Sequence, residues 1–202
     1  MNSRVLLLCI LLFRVGSIVA VAQAEKSLSS LLGDLVRPEK TTQAAAALLE
    51  IASAQPSVRS QLSNALPNLI LTSTDIKVVQ SEATLAGKLG LVSTVPALVQ
   101  LLDQPNNRGE GAEMGTMTTA AELHGDPIAR ALADIGAPAV QALSTPLESV
   151  HVGTRERAAR ILVRISTPES FSLLRRHVGR EADTSLKRYI AANLARAKQL
   201  GH

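Results

Sequence analysis

The fold is decided by residues 126–140, which read DPIARALADIGAPAV. An acidic residue and a proline precede an apolar run with helical spacing, and a glycine and a second proline follow it. Asp126 is a typical N-cap residue, and Gly136 stands where a helix C-cap is expected. Pro138 then stands near the start of another helix. The stretch therefore predicts a helix, a tight turn and a second helix.

Five segments share the pattern of the first of these helices: small residues, then Leu or Ile, then a charged residue followed by an apolar or small one. They are Ala45–Ala52, Ala83–Gly90, Ala129–Gly136, Ala159–Ser166 and Ala191–Lys198. Self-similarity at such intervals is the sequence signature of a repeat architecture. We therefore predict that one type of helix recurs five times.

A second amphipathic stretch lies between successive copies and often begins with a proline. The clearest examples are Ser27–Val36, Val95–Asp103, Pro138–Leu147 and Pro168–Val178. In the last of them Phe171, Leu174 and Val178 share one face, as in a half-buried helix. The segment Gln55–Ser73 is longer than one helix of this pattern. Helices of two kinds are thus expected to alternate along the chain.

This alternation resembles the HEAT-like repeats of α-solenoid proteins, particularly the short bacterial kind, over residues 26–200. The resemblance implies an all-α fold, an α-solenoid of about five HEAT-like helix pairs. Ser166 and Lys198 depart from the pattern, since they stand where a turn glycine is expected. The alternative is a closed all-α bundle, which needs long helices with heptad-like seams.

Residues 1–24 predict a secretory signal peptide. Arg4 supplies the positive charge, Val5–Phe13 is the apolar run, and Ala22-Gln23-Ala24 is a small-residue cleavage site. Cleavage after Ala24 would leave residues 25–202 as the HEAT-like repeat domain, in the periplasm or secreted. The alternative is an uncleaved membrane anchor, because the stretch has about the ~20 residues that a spanning helix needs.

The composition fits a repeat fold and excludes several functions. The 202 residues are 46% hydrophobic, but they include one tyrosine, two phenylalanines and no tryptophan. Helix pairs that pack only against their neighbours need Ala, Leu and Ile rather than large rings. Binding of single-stranded nucleic acid usually depends on aromatic stacking, so it is not expected here. Cys9, the single cysteine, lies in the predicted signal, and the processed chain can form no disulfide within itself.

One insertion interrupts the repeat, at residues 104–119. Its glycines, proline and asparagines predict a flexible loop. Insertions in repeat proteins often lie on the binding face. We therefore predict contacts with a partner from Arg108, Glu110, Met114 and Met117. The alternative is a loop without a role.

Charge is distributed unevenly along the chain. Residues 25–150 have a net charge of −5, whereas residues 151–202 carry 11 basic and 4 acidic residues, a net charge of +7. Arg157, Arg160 and Arg164 share one face of a predicted helix. This basic strip would attract an acidic protein or an anionic membrane surface. The alternative is a solvated helix face with local ion pairs.

Catalytic motifs are missing from the sequence. It has no HExxH, CxxC, GxSxG or P-loop pattern, and it lacks the His-Glu pairs that hold iron in HEAT-like deoxyhypusine hydroxylases. One loose cluster contains Glu110, Glu113, Glu122, His124 and Asp126. His124 would be the centre of a zinc site only if three or four ligands converged there. The other histidines, His151, His177 and His202, are expected at the surface.

The sequence therefore predicts an exported, non-catalytic protein-interaction module or scaffold without cofactor or metal. Its partner is a protein, and the charge favours an acidic one; contact with a membrane surface is left open, and nucleic acid is not expected. One alternative is a lyase-like or assembly accessory factor that presents a substrate protein. Another is a metal-dependent enzyme centred on His124.

Overall fold

The protein is all-α in the computed structural model, which describes residues 27–103, 123 and 125–199. Residues 27–35 form helix α1. The helices that follow are α2 (Thr41–Ala54), α3 (Pro56–Thr72), α4 (Ile76–Leu89), α5 (Val95–Leu101), α6 (Pro127–Ile135), α7 (Ser144–Leu147), α8 (Val152–Ile165), α9 (Pro168–Val178) and α10 (Thr184–Gln199). No β-strand occurs among these residues. The predicted fold class is thus confirmed at the level of secondary structure.

All five copies of the predicted helix are helical, in α2, α4, α6, α8 and α10. Two details of the prediction are wrong. Residues 137–143 form two 3₁₀ turns before the short α7 instead of one amphipathic helix. The long segment Gln55–Ser73 holds a single helix, α3.

The helix ends follow the predicted capping residues. Asp126 caps α6, since its Oδ1 accepts a hydrogen bond from the backbone N–H of Ala129 at 3.0 Å. Gly90 and Gly136 end α4 and α6 with φ angles of 59° and 79°, which glycine adopts without steric cost. Ser166 ends α8 at φ 57°, so the serine keeps the left-handed conformation of the glycine that it replaces.

A proline inside α3 removes a helical hydrogen bond, and a residue between α4 and α5 replaces it. Pro67 has no N–H, so the carbonyl of Ser63, four residues earlier, loses its helical partner. The hydroxyl of Ser93 donates to that carbonyl oxygen at 2.6 Å, and the two serine hydroxyls lie 2.8 Å apart. The bond that the helix lacks is therefore replaced by one between neighbouring layers.

The helices pack as two rows. Within a row, each helix contacts the helix that comes two places later in the chain. In one row α4 lies between α2 and α6, and α6 lies between α4 and α8; in the other, α3 packs against α5. Helix α4 contributes to two apolar clusters, with Leu85 and Leu89 on the α2 and α3 side and Ala83 and Ala86 on the α6 side. The core is therefore divided along the chain rather than gathered at one centre.

The contact between α4 and α6 is the most extensive in the fold, and it depends on Gly87. A Cβ atom at Gly87 would lie 2.7 Å from the Cα atom of Ala131 in α6, closer than real side chains approach. Because that neighbour is backbone, the two helices would have to move apart to accept any side chain.

We therefore expect Gly87→Ala to lower the free energy of unfolding by about 1–3 kcal/mol, the usual cost of overpacking. Chemical denaturation measures this change. Gly33→Ala in α1 is the matched control, because a Cβ atom there meets nothing within 4 Å. The control should gain up to about 1 kcal/mol from helix propensity. Equal effects of the two substitutions would contradict the close approach.

No helix within the described ranges is both long and apolar enough to cross a membrane. The predicted signal peptide, residues 1–24, and the inserted loop, residues 104–119, lie outside the part of the chain that the structure describes.

Candidate functional site

Arg157 lies in the protein interior instead of on a basic strip at the surface. The residue is only 5% exposed. Its Nε and Nη2 donate to Oδ2 and Oδ1 of Asp126 at 2.6 and 2.9 Å. A bidentate pair of this kind satisfies both charged groups away from water. The predicted strip is therefore wrong at Arg157, whose charge is not available to a partner.

The same guanidinium joins two residues that lie on either side of the insertion. Its Nη1 donates to the carbonyl of Leu102 before the insertion, while Asp126 follows it. Beside Leu102, Asp103 Oδ1 accepts hydrogen bonds from Thr154 Oγ1 at 2.6 Å and from Ser149 Oγ at 3.2 Å. These hydrogen bonds hold the pKa of the Asp103 carboxyl below its usual value, and the bond from Thr154 has the largest effect. Helix α8 and the residues before it thus hold the last described residues before the insertion and the residue that caps α6 after it.

The other arginines of the predicted strip differ in exposure. Arg160 is half-buried, and its Nη2 donates to Glu156 one turn earlier, as the alternative of local ion pairs predicts. Arg164 is exposed near the end of α8. Their part in binding stays a prediction. The predicted loop contacts and the candidate zinc ligand lie outside the described residues: Arg108, Glu110, Met114, Met117 and His124.

A groove of about 490 Å³ lies between the α7 and α9 segments. Ser144, Thr145 and Glu148 line its α7 side, and Arg176, His177 and Arg180 line its α9 side. Arg176 and Arg180, two of the 11 basic residues in the C-terminal region 151–202, are therefore found at a defined cavity. We take this groove as the candidate functional site.

His177 lines the groove with a buried ring, although the sequence predicts it at the surface. The residue is 4% exposed. Its Nε2 lies 2.9 Å from Oε2 of Glu181, and its Nδ1 lies 3.6 Å from Oε1 of Glu148. The prediction is wrong because one carboxylate stands four residues further along the chain and another comes from the α7 segment. His151, by contrast, is exposed as predicted.

The carboxylate of Glu181 holds the imidazole in place. Arg155 donates to it from Nε at 2.9 Å and from Nη2 at 2.8 Å, and the backbone N–H of Asp183 donates at 2.8 Å. The hydrogen bonds from Arg155, more than any other contact, lower the pKa of the Glu181 carboxyl to about 2. An ionised carboxylate can only accept, so the Nε2 of His177 carries a hydrogen and donates it to Glu181.

Glu148 and Arg180 form an ion pair at the mouth of the groove. Arg180 Nη2 donates to Glu148 Oε1 at 2.8 Å, and both side chains are more than half exposed. An exposed pair of this kind contributes only about 0–1 kcal/mol, so either partner can exchange it for another contact. Arg176, also exposed, adds a second cation to the groove. The site therefore combines accessible cations with a buried, oriented imidazole, which suits it to bind carboxylates.

A second buried carboxylate lies away from the groove, on α4. Glu82 is fully buried; its Oε1 accepts a hydrogen bond from Ser73 Oγ at 3.1 Å, and its Oε2 has no partner in the part of the chain that the structure describes. Burial raises the pKa of this carboxyl to about 7, and the bond from Ser73 offsets only part of that rise. Among the residues that the structure describes, no three metal-ligating side chains converge.

Three of these residues could have been recognised from the sequence. His177 and Glu181 stand at i and i+4, the spacing at which helical side chains meet. Glu82 interrupts the apolar stripe of α4 between Val79 and Ala86, and a charged residue at such a position indicates burial. The contact of Arg157 with Asp126 spans 31 residues, and no local pattern indicates it.

Comparisons with known proteins leave the family of the chain open. No protein-family model and no curated protein matches it. The chain is similar to a crystal structure of an engineered protein from the Northeast Structural Genomics Consortium, with a TM-score of 0.45 and 23% identity over 83% of this chain and 77% of that one. A likeness at that level assigns no function, which therefore has to be inferred from the residues of the groove.

Proposed function

We propose that this protein is an exported, non-catalytic interaction module of the HEAT-like α-solenoid type, which binds an acidic segment of a partner protein. The binding surface is the groove between the α7 and α9 segments. One observation carries the proposal: Arg176 and Arg180 are exposed at the groove, within the part of the chain that has a net charge of +7.

The packing supports a solenoid of about five helix pairs. Helices α2, α4, α6 and α8 each contact the next in their row, and the apolar core follows the rows along the chain. In a solenoid each repeat is stabilised mainly by its neighbours, and loops and grooves along one side serve as binding surfaces. The predicted signal peptide, residues 1–24, would deliver the domain to the periplasm or outside the cell.

The charge distribution supports an acidic partner. Residues 25–150 have a net charge of −5 and residues 151–202 a net charge of +7, so opposite ends of the chain differ in sign. A surface of one sign accelerates encounter with a partner of the other sign and orients it. An acidic segment would therefore be attracted to the α8–α10 end.

The test is a charge reversal at the groove. A partner captured by crosslinking in envelope extract is purified, and its affinity is measured for the wild type and for the double variant Arg176→Glu, Arg180→Glu. We expect at least tenfold weaker binding by the variant, and wild-type affinity that falls as salt rises. Lys88→Glu, at an exposed position on α4, is the control and should change affinity less than threefold.

Two results would contradict the proposal. One is unchanged affinity of the double variant, which would place the contact elsewhere. The other is wild-type affinity that does not respond to salt, since charge would then contribute little to the interface.

A further inference from the structure

We propose that the place now occupied by the Glu148 carboxylate is a subsite for a carboxylate side chain, aspartate or glutamate, of the partner segment. Arg180 and His177 are its donors. This inference rests on the proposed function, because the ligand is part of the acidic partner, but it names the two groups that recognise it.

Glu148 occupies the proposed subsite with one carboxylate oxygen. Its Oε1 lies 2.8 Å from Arg180 Nη2 and 3.6 Å from His177 Nδ1, so one oxygen faces both groups. Its side chain is 53% exposed, and Glu148 is the C-cap residue of the short helix α7. Glu148 therefore acts as an internal carboxylate ligand that can turn outward when an external one arrives.

The imidazole of His177 faces the subsite through Nδ1. His177 Nδ1 is buried and has no hydrogen-bond partner within the described ranges, at a distance from Glu148 that is too long for a bond. A buried polar atom without a partner costs free energy, which a ligand recovers when it completes the bond. Nε2 is already hydrogen-bonded to Glu181, so Nδ1 is the ring nitrogen that can contact the ligand.

Charged side chains from several elements surround the ring of His177. Glu148 lies on the α7 side, Arg155 on α8, Arg176 on α9 and Arg180 just after it, and Glu181 contacts the ring directly. Arg155 offsets the charge of Glu181, and Arg180 that of Glu148. When an incoming carboxylate displaces Glu148, Arg180 offsets its charge. The ring keeps its Nε2 hydrogen bond to Glu181, and in its imidazolium form it also donates to the carboxylate from Nδ1. The subsite thus accepts one negative charge at a time.

The experiment measures binding of a hexaglutamate peptide, acetylated and amidated at its ends, by fluorescence anisotropy at low salt. We expect Glu148→Gln to bind about two- to fivefold more tightly, because the internal competitor has lost its charge and an exposed ion pair contributes little. His177→Gln should bind about tenfold more weakly, since it loses a charge-assisted donor. Arg175→Gln, at an exposed position on the same helix that does not line the groove, should stay within twofold of wild type.

The variant Glu148→Gln keeps the proposal testable even if His177→Gln fails to fold, because Glu148 is exposed and contributes little to stability. Unchanged or weaker binding of the peptide by Glu148→Gln would overturn the subsite. Absence of wild-type binding would overturn it as well. Hexaglutamine with a free C-terminal carboxylate is the second probe, and equally tight binding of that peptide would overturn the assignment to a side chain.

Failure of the subsite differs from failure of the proposed function. If the captured partner loses affinity for the double arginine variant while Glu148→Gln behaves as wild type toward hexaglutamate, the groove binds its partner without this subsite. If the captured partner binds the double arginine variant with the same affinity as the wild type, the proposed function itself is wrong.

Discussion

Replacing Arg157 with methionine is expected to lower the free energy of unfolding by about 3–5 kcal/mol, the cost of breaking a buried ion pair from one side. The substitution leaves the carboxylate of Asp126 buried without its counter-charge and removes the donor to the carbonyl of Leu102. The free energy of unfolding in urea measures the loss. Arg164→Met, at an exposed position on the same helix, is the matched control and should change it by less than about 0.5 kcal/mol.

A second substitution separates loss of charge balance from loss of packing. Asp126→Asn in the Arg157→Met background removes the stranded charge, while its side-chain oxygen can still cap α6. We expect the double variant to recover part of the lost free energy. Because the residues are in contact, the two effects should not add. A loss below about 1 kcal/mol for Arg157→Met, or no recovery in the double variant, would contradict the role of this pair.

Replacing Glu82 with glutamine is expected to raise stability at pH 8 and to weaken its dependence on pH. The pKa of the Glu82 carboxyl is about 7 in the folded protein, against an ordinary value of 4.5. The folded state therefore binds more protons between these values, so stability falls as pH rises from about 4.5 to about 7. A rise of the pKa from 4.5 to about 7 corresponds to about 3 kcal/mol. Above pH 7 the penalty for the buried charge is fully present.

The measurement is the free energy of unfolding at pH 5 and at pH 8, for the wild type, Glu82→Gln and Glu50→Gln. We expect Glu82→Gln to differ little from wild type at pH 5 and to be about 1–3 kcal/mol more stable at pH 8. Glu50 is exposed on α2, so its substitution should follow the wild type at both values. Because other groups also titrate, the informative quantity is the difference in free energy of unfolding between each variant and the wild type. A difference for Glu82→Gln that does not change with pH would contradict the buried charge.

Local patterns in the sequence predicted the helices and their ends. The recurring Ala- and Leu-rich segments, the caps at Asp126, Gly90 and Gly136, and the prolines near helix starts all act within a few residues. Their effects on backbone conformation are therefore readable from neighbours alone. Ser166 shows the limit of that approach, since its left-handed conformation is set by the end of α8 rather than by residue type.

The candidate site could be predicted only in part. The sequence indicated a basic C-terminal region, but it could not separate buried arginines from exposed ones, because burial is decided by partners 26 to 55 residues away. Arg155 meets Glu181, and Arg157 meets Asp126 and Leu102, only after α6, α8 and α9 have packed. The groove itself lies between residues of α7 and α9, and such a juxtaposition has no local signature.

The attachment of both ends of the insertion to one helix has a consequence for how this chain can change. Leu102 and Asp126 bind the same guanidinium, so the ends of the intervening segment stay together whatever its length. Each doubling of a loop costs only about 0.6 kcal/mol of closure entropy. We therefore expect sequence inserted between Asp103 and Asp126 to leave the contacts of α8 intact at little thermodynamic cost, so that a foreign peptide could be displayed there on an intact scaffold.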